Sequence, residues 1–147
     1  MASKVFINFP SNDLGKARTF FEGLGFSINP KFTDDNGMCV VVSDDIYFMV
    51  LTRPFFEGFV NKKVGDNRLA TQSIYSLAYD LRSEVDMVYE RAISLGATAV
   101  GEAKDYGFMY QRAFEDLDGN NFEIFWMDPK AAEMGPEEFM KANGDAA

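Results

Sequence analysis

Leu24-Gly25-Phe26 returns as Leu95-Gly96-Ala97, a shift of 71 positions from Gly25 to Gly96. Under that shift Leu14 falls on Val85 and Ala17 on Val88, so the apolar positions of two helices coincide, as an internal duplication requires. Each Leu-Gly marks a helix end, because glycine adopts the left-handed conformation that closes a helix without a Cβ penalty. A chain built from two such copies folds as a doubled unit, and the question becomes what each unit contains.

In the first copy, Lys4 to Phe9 reads as a strand closed by Pro10. Ser11 or Asn12 caps the helix that follows, from Asp13 to Leu24, and Asp13 adds negative charge at its positive end. Leu14, Ala17, Phe20, Phe21 and Leu24 share one helical face. Three strands follow, Phe26 to Thr33, Met38 to Ser43 and Ile46 to Leu51, joined by Asp34-Asp35-Asn36-Gly37 and Asp44-Asp45. The stretch from Arg53 to Thr71 carries no strand alternation. Phe55, Phe56, Phe59 and Val60 predict a short amphipathic helix there, in a linker over the core.

The second copy opens with a strand from Ser73 to Asp80. Ser83 with Asp86 resembles a capping box for a helix from Glu84 to Leu95 that buries Val85, Val88, Tyr89 and Ile93. A short strand, Ala97 to Gly101, precedes a hairpin of Gly107 to Glu115 and Asn121 to Met127 around Asp116-Leu117-Asp118-Gly119-Asn120. If Asp118-Gly119 is a two-residue turn, Phe114 pairs with Glu123 and Arg112 with Phe125. Arg112 and Glu123 are then diagonal neighbours on one face, either in a polar cleft or on the solvent side. Trp126 falls on the face opposite Glu123. Each copy is therefore a β-α-β-β-β unit: module one at about residues 4–52, a linker at 53–71, module two at about 72–127, and a tail at 128–147 with a short helix, Glu137 to Lys141, and a frayed end.

Composition narrows the chemistry. The 147 residues, 47% hydrophobic, suit one compact domain. A net charge of −9 with no Lys/Arg stripe argues against nucleic acid and anionic membrane as partners and leaves a cationic or neutral ligand. Cys39 is the single cysteine and sits in the apolar run Met38 to Val42, where it reads as a buried structural thiol. The N-terminus carries no signal-peptide core and no apolar run approaches bilayer length, so the expected location is cytoplasmic. There is no histidine, which excludes Ser-His-Asp and Cys-His catalysis and His-ligated zinc. Asp116-Leu117-Asp118-Gly119 does not fit a calcium loop either, since EF-hand spacing puts Phe114 and Phe125 at ligand positions.

The order of elements, the Asp13-Leu14 helix start, the helix-ending Leu-Gly and the run Asp116-Leu117-Asp118-Gly119-Asn120-x-x-Glu123 resemble the vicinal oxygen chelate superfamily, over about Val5 to Met127. Glyoxalase I, bleomycin-resistance proteins and extradiol dioxygenases are of that kind. The resemblance implies an α+β fold in which two modules form a half-open mixed sheet around a cleft, a homodimer, and, in the enzymes, metal ligands on the first and last strands of each module. Carried onto this sequence, those places fall at Phe6, near Met49, within Ile74 to Leu77 with the shift of 71 pointing to Leu77, and at Glu123. Phenyl and thioether groups do not hold a hard ion, so one carboxylate of four remains and no metal or other cofactor is expected.

By alternation Phe6, Tyr47, Tyr110 and Phe125 share the faces of those positions and could line a slot for a flat ligand, with Arg112 as a partner to Glu123. The expected function is a metal-independent, bleomycin-resistance-like protein that sequesters a small aromatic or cationic ligand, with Phe6, Met49, Tyr110, Arg112 and Phe125 as contacts. The alternatives are a metal-dependent lyase, isomerase or dioxygenase using Glu123, and an interaction module with no small-molecule site. Without a metal, any chemical step would rest on Glu123 as general base with Tyr110 or Arg112 beside it.

Overall fold

The computed structural model describes residues 1–143. It divides into two compact units, one of residues 1–70 with Leu117–Gly119 and one of 71–116 with 120–143 among the described residues. The outermost part of the expected frayed end, residues 144–147, lies outside that description.

In the first unit, strand β1 (Val5–Ser11) leads to helix α1 (Leu14–Gly23), then β2 (Ser27–Asn29), a 3-10 turn over Pro30–Phe32, β3 (Gly37–Val41), β4 (Ile46–Thr52) and helix α2 (Arg53–Glu57). The sheet order is β1-β4-β3-β2, with β1 parallel to β4 and the other pairs antiparallel. Alternation sends Phe9, Phe48, Val50, Met38 and Val40 to the α1 side, where Ala17, Phe20 and Phe21 are buried. The ring of Phe21 lies 5.9 Å from Phe48 and 6.2 Å from Phe9, at tilted or edge angles that aromatic quadrupoles favour.

Three expectations need correction in this unit. Strand β1 runs through Pro10 to Ser11 because Pro10 sits on a strand paired along one side only, where its missing N–H breaks no ladder bond. Asp13, not Ser11 or Asn12, caps α1: its Oδ1 accepts the Lys16 N–H at 3.0 Å. The strand expected over 26–33 stops at Asn29, since Pro30 cannot donate to the ladder and starts the 3-10 turn instead.

The second unit holds β5 (Ile74–Ala78), helix α3 (Arg82–Ser94), β6 (Thr98–Ala99), β7 (Lys104–Asp105), β8 (Met109–Glu115), β9 (Asn121–Met127) and helices α4 (Pro129–Met134) and α5 (Pro136–Ala142). The order is β5-β9-β8-β6 with β7 also on β8, and β5 runs parallel to β9. Val85 and Ala92 of α3 are fully buried above Phe114, Phe122 and Ile124. The Ser83 and Asp86 capping box does not form. Leu81 is the cap and its N–H donates to Glu84 Oε1 at 3.0 Å, which leaves Asp86 for other work. Two mixed sheets with helices on one face of each make this an α+β fold, as the two β-α-β-β-β modules predict.

Candidate ligand site

The geometry around Glu123 is set by the turn before it. Asp116 N–H donates to the Asn120 carbonyl at 3.0 Å, while the Asp116 carboxylate accepts the Asn120 N–H at 2.8 Å and its side-chain amide at 2.9 Å. The loop is therefore three residues, Leu117–Gly119, with Gly119 at φ +83° in the left-handed position that such hairpins require. Three loop residues instead of two move the pairing by one. Ala113 faces Glu123, Arg112 faces Ile124, and Phe114 stacks on Phe122 at 5.6 Å.

A one-residue move exchanges the faces of the sheet. Tyr110 and Arg112 consequently lie on the α3 side, away from Glu123, and the expected Arg112–Glu123 pair does not exist. Tyr110 donates to Asp86 Oδ1 at 2.6 Å and Arg112 Nη1 donates to the same oxygen at 3.3 Å. The guanidinium carbon of Arg112 lies 3.6 Å from the Tyr89 ring centre, and that of Arg82 lies 4.2 Å from Tyr110. Arg82 in turn pairs with Asp105. The bond to Asp86, with burial second, pushes the Tyr110 hydroxyl above the ordinary tyrosine range. This cluster fastens β8 to α3. The sequence pattern predicts Asp86 in a helix cap, and no local signal marks its cross-element role.

Glu123 projects from the opposite face of the sheet and is half-buried. Ser76 Oγ donates to its Oε2 at 3.3 Å, because parallel pairing sets Ser76 directly beside it. Leu77, the position the repeat shift pointed to, pairs with Ile124 on the α3 side. Ser76 thus occupies the place expected for Leu77. Gln111 and Phe125 form the next pair on the Glu123 face, with Lys104 beyond Gln111. A hollow of about 60 Å³ opens here among Glu102, Lys104, Gln111, Asn121 and Glu123. At ~30 Å³ per water it holds a few waters and not a whole organic ligand.

In the first unit, Phe6 stacks on Tyr47 with centroids 4.6 Å apart and planes 9° from parallel, and Lys4 Nζ sits 5.6 Å from the Tyr47 ring. Phe6 is 53% exposed, so the stack presents an open aromatic surface. Met49 is on the same face, paired with Asn8 and Cys39. Burial pushes the Cys39 thiol pKa up, which suits a structural thiol.

The donor set at the four family positions is a phenyl ring, a thioether, a hydroxyl and one carboxylate: Phe6, Met49, Ser76 and Glu123. Among the described residues no three His, Cys, Asp or Glu side chains come together as a metal site. These residues do not fit a divalent ion, which needs several anionic or nitrogen ligands to offset its dehydration. Among the described residues no helix is long and apolar enough to cross a membrane.

No protein-family model and no curated protein sequence matches the chain. Solved structures do. A glyoxalase-related enzyme from Fulvimarina pelagi matches with a TM-score of 0.72 at 18% identity, over 86% of this chain and 88% of that one. A glyoxalase/bleomycin resistance protein/dioxygenase family enzyme from Burkholderia phytofirmans matches at 0.69 and 16%, over 83% and 96%. An antibiotic-binding protein from a Streptomyces species matches at 0.62 and 19%, over 86% and 97%. The doubled β-α-β-β-β pattern, the two mixed sheets and these likenesses together identify the fold of this chain as the one shared by solved glyoxalase-related and glyoxalase/bleomycin resistance/dioxygenase proteins.

Proposed function

We propose that the protein binds a small cationic or aromatic molecule on the sheet face that carries Glu123, without a divalent metal, and that it works as a homodimer. The observation that carries this reading is the donor set: a phenyl ring, a thioether and a hydroxyl stand at three of the four positions, with a single carboxylate at the fourth. That carboxylate is oriented by Ser76 and neighboured by Phe125, Gln111 and Asn121. A fixed acid beside an aromatic ring suits a ligand with a positive or amide edge and a flat body. In the first unit, the exposed Phe6 and Tyr47 stack with Met49 is a second surface of the same character. The fold shared with an antibiotic-binding protein supports sequestration over turnover. The hollow beside Glu123 is too small to enclose a ligand by itself, which supports a second copy as the remaining wall.

Thermal-shift screening of cationic and aromatic compounds, followed by calorimetric titration, tests this. The expected result is saturable stabilisation, growing with ligand concentration as mass action requires, and a binding constant weakened roughly tenfold in Glu123→Gln, the loss of one charge-assisted contact. Light scattering should give twice the chain mass. A protein indifferent to every such compound, equal binding by Glu123→Gln, or a stoichiometric divalent ion lost on Glu123→Ala would overturn the reading.

A further inference from the structure

A hollow larger than the one beside Glu123 lies in the first unit. It sits at the C-terminal ends of the parallel strands β1 and β4, has a volume of about 460 Å³ and is lined by Ser11, Asn12, Leu14, Asn36, Thr52 and Arg53. It shares no residue with the Glu123 face.

Arg53 gives this hollow its character. Its Nη2 donates to the carbonyls of Gly65 at 2.9 Å and Val64 at 3.4 Å. Those bonds aim the guanidinium without neutralising it. Among the described residues no carboxylate lies within ion-pair distance of Arg53. Asp66, which senses its charge, is taken by Arg68 at 3.0 Å. A half-buried, uncompensated cation is notable in a chain of net charge −9. Among the described residues its Nε–H and Nη1 hydrogens meet no acceptor, and each can donate singly to a carboxylate oxygen, Nη2 being held by the two carbonyls.

Two further groups are uncommitted. Among the described residues the Asn36 side-chain amide and the Thr52 hydroxyl make no hydrogen bond, while Thr52 N–H donates to the Asn36 carbonyl at 2.9 Å and holds the two together. The neighbouring acids are already accepting. Asp13 caps α1, Asp34 Oδ1 accepts the Asn36 and Gly37 N–H groups, and Asp118 Oδ1 accepts two bonds from Asn12. Their charges disfavour a multiply charged anion, and Leu14 with Pro54 supplies an apolar wall.

We propose that this hollow is a second small-molecule site and takes an organic monocarboxylate, with the carboxylate on Arg53 and Thr52 and the apolar body against Leu14. Titration of the full chain with sodium benzoate, followed by nitrogen–proton correlation spectra that include the arginine Nε–Hε signals, tests it. Saturable shifts are expected at Arg53 Nε–Hε and at the Thr52 and Asn36 amides, and benzamide, the neutral isostere, should leave them unmoved. Arg53→Met should weaken benzoate binding roughly tenfold. Thr52→Val, which leaves the Arg53–Gly65 bond in place, should weaken it severalfold and keeps the test valid if Arg53→Met unfolds. Absence of saturation, unchanged binding in Thr52→Val, equal shifts with benzamide, or tighter binding of inorganic phosphate than of benzoate would each overturn the proposal. Glu123→Gln should not alter it, so this site and the Glu123 face fail or succeed separately.

Discussion

Replacing Gly119 with alanine probes the hairpin turn that decides which side chains accompany Glu123. Gly119 has φ +83°, where an L-residue loses about 1–2 kcal/mol. A Cβ there would also stand 2.6 Å from the Arg68 nitrogen, 2.7 Å from the Asn67 carbonyl carbon and 2.8 Å from the Arg68 Cα. All three are backbone atoms, which cannot swing aside as a side-chain tip can, and overpacking of that kind costs about 1–3 kcal/mol more. Gly101 is the control, with φ +68° and, among the described residues, nothing within 4 Å of an added Cβ. Gly101→Ala should therefore lose about 1 kcal/mol and Gly119→Ala about 3. With a urea m-value of ~2 kcal/mol/M, the unfolding midpoint should fall by ~0.5 M in the first and ~1.5 M in the second. The fluorescence of Trp126, the single tryptophan, reports the transition. Equal midpoints for the two variants would refute the close approach of the turn to the 67–68 backbone.

Two other measurements bear on the second unit. Burial, with the Glu84 charge second, pushes the Tyr79 hydroxyl up to about 12, so the neutral phenol stabilises the fold fully below the ordinary tyrosine value of 10 and that contribution fades as pH rises through 12. Two units correspond to about 2–3 kcal/mol lost across that window, and Tyr79→Phe should remove this share of the alkaline decline. In a double-mutant cycle, Tyr110→Phe and Asp86→Ala should show a coupling of about 1–2 kcal/mol. Asp86→Ala alone should bring the Tyr110 titration back toward the ordinary range in an ultraviolet pH series. Additive losses would mean that the 2.6 Å contact contributes nothing.

The doubled architecture was readable because helix periodicity and the Leu-Gly stops are local signals repeated at one spacing. The positions of β4, β8 and β9 followed from β-branched and aromatic runs. Register was not readable in the same way. Asp118-Gly119 looks like a two-residue turn, but the Asp116 carboxylate captures Asn120 and lengthens the loop to three, an effect of one side chain on backbone two turns of bonding away. A two-residue turn would set Arg112 and Tyr110 on the Glu123 face, and the third loop residue turns both toward α3. Leu77 was misplaced for a related reason: the gap from β5 to α3, Ala78 to Arg82, is one residue longer than that from β1 to α1, Ser11 to Leu14. The hollow at Arg53 left no sequence mark, since it depends on where the Val64 and Gly65 carbonyls come to rest.

The odd-membered loop of the β8–β9 hairpin restricts how this half of the molecule can evolve. β9 is held in phase by two partners, β8 on one side and β5 on the other, so removing a single codon from the loop would ask the strand to show Phe122 and Ile124 to water and hide Glu123 beneath α3. Point replacement at the exposed positions meets no such obstacle. A descendant lineage can retune the chemistry around the acid one letter at a time, while insertions and deletions at the bend are purged as folding failures.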